Sequence, residues 1–397
     1  MKSIKRGLWL YFLLINFFSN AQVVWQARAN FAGTARNHAI GFSYGDKGYI
    51  VTGGHNNTQF KDFWEYNSLT DSWTQLPDYP GVVRSYGIGA VIGDKAYIGF
   101  GHSGNTYLTD WWEYDFTNST WTQKNNFPGP GRDHPTCASM NGKLYVGFGD
   151  DDNGNYKDWW QYDPENDSWV LKANFPGFTM HHPVSSSHND IVYIHQGHVE
   201  TATLNYPSKK LYAYNTLTDT WTIKADMPGP GSVAGAAFAL GDKLYSGIGI
   251  EEPVETFHNE FYEYTISTNT WTSIANYPGT GWFAPVSFVI GNDGYVITGM
   301  NQMGTDTKNL YRLHDTSSAG IEEKELNSLK LFPNPASNYV EIESGDLKTT
   351  IEIYTIGGSL IETFQKNSQK IKIDLTDFES GLYYIKSDHA YIKMIVE

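Results

Sequence analysis

The chain has one cysteine, Cys137, in 397 residues, so no intrachain disulfide can hold it together. Small exported domains lean on such staples, whereas a large closed β-domain does not need them. A lone cysteine inside a repeat is expected to be a small apolar filler without a redox role. Positive charge is also scarce. Lys and Arg number 28 against 43 Asp and Glu, the formal net charge is −15, and no basic run follows the first six residues. General nucleic-acid binding is thereby excluded. Long hydrophobic runs are missing except for Leu8 to Phe18, about 11 residues, too few for the ~20 that span a bilayer. Lys2, Lys5 and Arg6 precede that run and Ser19-Asn20-Ala21 follows it. Residues 1–21 therefore read as a cleavable signal peptide, leaving a mature chain from near Gln22 without a transmembrane anchor. The sequence has no zinc-ligand spacing, nucleophile elbow or phosphate loop, so no catalytic residue, metal or cofactor is expected.

Aromatics and glycine are plentiful. Trp25, Trp73, Trp121, Trp169, Trp221 and Trp271 recur at intervals of 48, 48, 48, 52 and 50 residues. Tyr49, Tyr97, Tyr145, Tyr193, Tyr245 and Tyr295 keep the same intervals. Two ladders sharing a period near 50 residues indicate a propeller rather than a helical solenoid. In the template, Arg36 to Ser43 reads as a first strand and Gly48 to Gly53 as a second. Lys61 to Tyr66 reads as a third and Ser72 to Leu76 as a fourth, separated by Gly-Asp and Asn-Asp turns. Four such strands make one blade.

The second strand returns as KAYIGFG from Lys95, KLYVGFG from Lys143 and KLYSGIG from Lys243. The third returns as WWEYD from Trp111 and WWQYD from Trp159. A glycine-rich end to the second strand, then a tyrosine, then a tryptophan resembles the Kelch repeat over roughly residues 23–315. The usual double glycine survives only at Gly53-Gly54. Trp25 lacks a preceding third strand and Leu310 to Leu313 lacks a following tryptophan. Residues 23–27 are therefore expected to complete the sixth blade and leave no free edge. The reading is an all-β chain: a six-bladed Kelch β-propeller over residues 22–315, a linker at 316–328, and a small C-terminal β-sandwich at 329–397.

That last segment alternates short apolar strands with turns. Phe332-Pro333-Asn334-Pro335, Ile353-Tyr354 with Gly357-Gly358, Gly381-Leu382-Tyr383 and Lys393 occur in order. This string resembles the C-terminal sorting domain of type IX secretion cargo. The resemblance implies a Gram-negative host, the type IX secretion machinery as a partner, and passage through the periplasm to the medium or the outer-membrane surface.

Length variation between second and third strands falls on one face, which we call the top. The connections that open on that face place Arg36, Arg84, Arg132 and Trp282 eleven residues after their tryptophans. Two further on come His38, Tyr86, His134 and His182. Positions two apart on a strand point the same way, so both sets are expected at the channel mouth, joined by His102, His198 and Glu200 from the neighbouring loops. A half-cationic, half-apolar mouth suits an acidic sugar, gripped by Arg and stacked on Trp282 or Phe283, with a surface protein as the other ligand class. A monomeric binding module is favoured over an enzyme. A sugar epimerase or mutarotase, resembling six-bladed Kelch enzymes of sialic acid, is the alternative, ahead of a copper-radical oxidase. Asp150-Asp151-Asp152 reads as a solvated acidic turn rather than a calcium loop.

Overall fold

The computed structural model describes residues 23–279, 281–315, 330–343, 349–355, 360–387 and 391–396. The signal-peptide reading, the linker and the Gly357-Gly358 turn fall outside these residues. The chain divides into two compact units, Met1–Thr316 and Ser317–Glu397.

The first unit is a propeller of six antiparallel four-stranded sheets. In chain order the blades begin with the inner strands Ile40–Tyr44, Ile88–Ile92, Thr136–Met140, Val184–His188, Ala236–Leu240 and Val286–Ile290. These pack against one another in cyclic order, the sixth against the first. Val23–Arg28 pairs with Leu310–Asp315, Trp25 opposite Leu313, so the N-terminal strand is the outer strand of the last blade. Sheet edges that would otherwise be open at both termini are thereby joined.

Two closed circuits of backbone hydrogen bonds run around the axis. In one, the N–H of His38 donates to Ala284 O, Tyr86 to His38, His134 to Tyr86, His182 to His134, Ala234 to His182, and Ala284 to Ala234, at 2.8–3.3 Å. All six residues are left-handed, with φ from 48° to 65°. In the other, Gly53, Gly101, Gly149, Gly197, Gly249 and Gly299 each donate to the next blade, at Arg84, Arg132, Met180, Ser232, Trp282 and Arg36. Those glycines have φ of 77–104°, and a Cβ on Gly101 would lie 2.1 Å from Ser85 O. Glycine is required there, whereas Thr52, Phe100 and Phe148 before it tolerate φ near 62–64°. The second glycine of the pair, Gly54, is the dispensable one: His102, Asp150, His198, Ile250 and Met300 take its place in the other blades.

The tryptophan ladder also has a physical role. Trp25, Trp73, Trp169, Trp221 and Trp271 donate Nε1–H to the carbonyls of Ala275, Ala29, Asn125, Ala173 and Ala225, at 2.9–3.1 Å, each in the preceding blade's connection. One residue type thus packs its own blade and, in five of the six, ties it to a neighbour; Trp121 Nε1 has no such partner among the described residues.

The second unit is a β-sandwich. One sheet contains Lys330–Phe332, Tyr339–Glu343 and Lys370–Asp374; the other contains Thr349–Thr355, Leu360–Lys366, Gly381–Lys386 and Tyr391–Val396. Their alternating inward residues, including Val340, Ile342, Ile351, Ile353, Ile373 and Ile385, form a single buried core. Among the described residues no helix is long and apolar enough to cross a membrane.

Candidate functional site at the channel mouth

The inner strand of the first blade starts at Ile40, not Arg36. Asn37 instead bridges to Gly54, and His38 is left-handed at φ 48°. A left-handed residue breaks the two-residue alternation of a strand, so Arg and His at this spacing diverge. The expectation that they share a direction is corrected accordingly.

The arginines turn into their own blades. Arg36 is fully buried and grips Asp62 with two bonds of 2.6 and 2.7 Å, while also donating to Thr52 O. Arg84 does the same to Asp110, at 2.7 and 2.6 Å, and to Phe100 O. Arg132 holds Asp158, at 2.5 and 3.0 Å, and Phe148 O. Aromatic faces complete each site: Arg36 lies 4.3 Å from the centre of the Phe60 ring and Arg132 4.0 Å from that of Tyr156. Burial raises the Asp62 and Asp110 carboxyls, but the hydrogen bonds and charge of Arg36 and Arg84, with the indole N–H of Trp64 and Trp112, leave both below their ordinary value. These guanidinium groups are not available to grip a ligand carboxylate. Trp282 is also removed from the mouth: it is 4% exposed and packs on Tyr277 and Tyr311 in the space that Arg fills elsewhere. Glu200 is exposed at the loop tip.

The histidines do converge. His38 and His182 come from opposite blades, yet their Nε2 atoms are 3.2 Å apart. His134 stacks on His182 with ring centres 3.4 Å apart, and Tyr86 lies between His38 and His134 at 4.0 and 4.4 Å. Only the pseudo-sixfold axis lets such residues meet. Burial, then the neighbouring imidazoles, push His38, His134 and His182 well below the ordinary histidine value, so they are neutral at physiological pH. His198 is linked to His181 at 3.1 Å and to Glu252 at 2.8 Å. His102 bonds Asp133 at 2.5 Å. Burial and then Asp150 and Asp152 push the Asp133 carboxyl up to about 8, while burial lowers His102. The Asp133 carboxyl therefore keeps its proton to higher pH than an ordinary aspartate.

The carboxylates of the acidic turn separate. Asp150 accepts from His134, Asp151 from Asn153 and Tyr156, and Asp152 from Tyr107. Cys137 lines a 210 Å³ axial cavity below the ring, and burial raises its thiol to about 12.

Reasoning from single positions missed Asp133, His181, His55 and Asp306. Asp306 accepts from Asn37 and bonds His55, each at 2.6 Å. A signal for the first two was present one residue after the arginine position. There Asn37, Ser85, Asp133, His181, Val233 and Phe283 face Gly54, His102, Asp150, His198, Ile250 and Met300. Compared in register, those pairs are polar or small in blades one to four and apolar in blades five and six. A second pocket, of about 480 Å³, opens between the loops of blades one and two, lined by Asn37, His55, Asn56, Asn57, Gln59, Tyr86, His102 and Asn105 among others.

Residues 26–177 match the KLHDC2/KLHL20/DRC7 Kelch-repeats domain, and residues 330–396 match the Secretion system C-terminal sorting domain. A solved structure titled "Structure of YjhT" superposes with a TM-score of 0.59 at 16% identity, covering 71% of this chain and 95% of that chain; the likeness is one of fold. No curated protein matches the chain in sequence. The molecule is a Kelch-repeat propeller carrying a type IX sorting domain, a tail that supports export to the cell surface or the medium.

Proposed function

We propose that the propeller is a monomeric binding module that takes a glycan at its top mouth, after removal of residues 1–21 and with residues 316–328 as the spacer to the tail. The observation that carries this is the pocket between the loops of blades one and two. Amides, imidazoles and the Tyr86 ring line it, whereas in blades five and six Val233, Ala234, Ile250 and Ala284 are buried and Phe283 is partly exposed. A sugar ring has a hydroxyl edge and an apolar C–H face, and the 480 Å³ pocket is of a size that holds small ligands. Asn and Gln both donate and accept, as hydroxyls require. With Arg36, Arg84 and Arg132 engaged internally, this reading does not depend on an acidic sugar.

A glycan array probed with the full-length protein tests it, beside an Asn57→Ala/Asn105→Ala variant at the exposed loop tips. Binding that the folded variant loses supports the pocket. An empty array from folded protein overturns the reading and moves the ligand class to surface proteins.

The second reading, a sugar epimerase or mutarotase, is favoured by the Asp133–His102 pair at the pocket edge, since general acid–base work needs a group poised near operating pH. Turnover of any bound sugar, abolished in His102→Asn with binding intact, separates enzyme from lectin.

A further inference from the structure

We propose that His38, His134 and His182 form a divalent transition-metal site on the propeller axis, for an ion of the Zn²⁺ or Cu²⁺ kind. One nitrogen from each of the three lies within 4.8 Å of the others. The 3.2 Å between Nε2 of His38 and Nε2 of His182 is close to the ~3.3 Å that separates two tetrahedral ligands at 2.0–2.1 Å from zinc.

The outer partners fix which nitrogens are bare. His38 Nδ1 faces Asn37 Oδ1 at 2.6 Å, and that amide is oriented because its Nδ2 donates to Asp306. His38 therefore carries its proton on Nδ1 and a lone pair on Nε2. His134 Nδ1 faces the Asp150 carboxylate at 2.8 Å, so its Nε2 is also a lone pair. That Nε2 is buried and has no partner among the described residues. The third ring, His182, has its Nδ1 against His181 at 2.6 Å. Imidazoles whose far nitrogen is held by a carboxylate or amide while the near one points inward have the outer-shell arrangement of metal-binding histidines. His134 Nε2 is thus a buried acceptor without a donor, which is costly unless a cation or donor lies beside it. Imidazole ligands suit zinc, copper and nickel, and copper binds most tightly in that series.

The left-handed backbone is common to all six blades, so it carries these side chains to the axis without selecting histidine. Histidine occupies three of the six positions, Tyr86 a fourth, and alanine those of blades five and six. Sequence spacing could not show the site, because His38 and His182 are 144 residues apart and meet only through ring closure.

The inference goes beyond the glycan reading and stands or falls without it, since its test reads metal alone. The full-length protein would be stripped with chelator, titrated with Zn²⁺ by calorimetry and with Co²⁺ by visible absorption, and checked for bound metal by mass spectrometry. One ion per chain is expected, with Co²⁺ bands of nitrogen coordination and a rise in melting temperature. Affinity should fall at least 100-fold in His134→Ala and 10- to 100-fold in Asp150→Asn, and be unchanged in His314→Gln, a surface histidine paired with Asp293. Wild-type protein that takes up no ion overturns the proposal, as does a folded His38→Ala/His182→Ala variant that binds as tightly as wild type. Should those variants fail to fold, the wild-type Co²⁺ spectrum decides: bands of oxygen-only coordination overturn the site.

Discussion

Blades one to three and blades four to six follow the same backbone path but fill one internal position differently. The first three place Arg36, Arg84 and Arg132 there, each locked to an aspartate two residues before the third-strand tryptophan, at Asp62, Asp110 and Asp158. The last three place Met180, Ser232 and Trp282, and the aspartate position becomes Lys210, Glu260 and Asn309. The carbonyl that receives the neighbouring glycine N–H is the same in every blade. The arginine is therefore one of several ways to anchor the entry to the inner strand, by charge and bidentate geometry in one half and by packing in the other. A residue that recurs with the repeat and loses its partner when it is lost itself acts inside the blade. Function is better sought where the halves differ at the mouth.

The comparison breaks most sharply at the ion pair. Asp110→Ala should cost about 3 kcal/mol in denaturant unfolding, because it leaves the buried Arg84 guanidinium without its counter-charge. The double variant Arg84→Met/Asp110→Leu, which combines the fourth blade's methionine with an apolar partner, should recover most of that loss. If it is no more stable than Asp110→Ala, packing cannot stand in for the pair.

A smaller effect separates the tryptophans. Trp73 donates Nε1–H to Ala29 O, whereas Trp121 Nε1 is buried without a partner among the described residues. Trp73→Phe should therefore cost about 1 kcal/mol more than Trp121→Phe in the same assay. Smaller again is Ala234→Gly. It relieves a left-handed residue at φ 51° and should shift stability by roughly 0.5–1 kcal/mol in the stabilising direction, net of glycine's entropy.

Acid should find the charged half first. Asp62 and Asp110 titrate below their ordinary value in the folded chain, so the unfolded chain binds more protons in acid. Their contribution is complete above the ordinary carboxylate range and is lost as pH falls through the folded values. Melting temperature measured from pH 7 down to about pH 3 should fall, less steeply in Arg84→Met/Asp110→Leu. Equal slopes would remove these pairs from the acid response.

Much of this was legible from residues alone. The Trp and Tyr ladders predicted six blades, and the unmatched Trp25 predicted closure by the N-terminal strand, because both report local periodicity. The tail was legible from its ordered turn and strand motifs. The direction of Arg36 was not, since it depends on a left-handed His38 in a position that reads as strand. Nor was the inward turn of Trp282, which follows from the space that a missing arginine leaves.

Sequence by itself determined the repeat, the blade count and the export signature, because each is written in spacing and in residues whose backbone demands are local. Only the tertiary structure decided what faces the axis. Closing the ring brings the first and fourth blades within 3.2 Å of each other at His38 and His182, a contact set by six cooperating backbone bonds rather than by any one repeat.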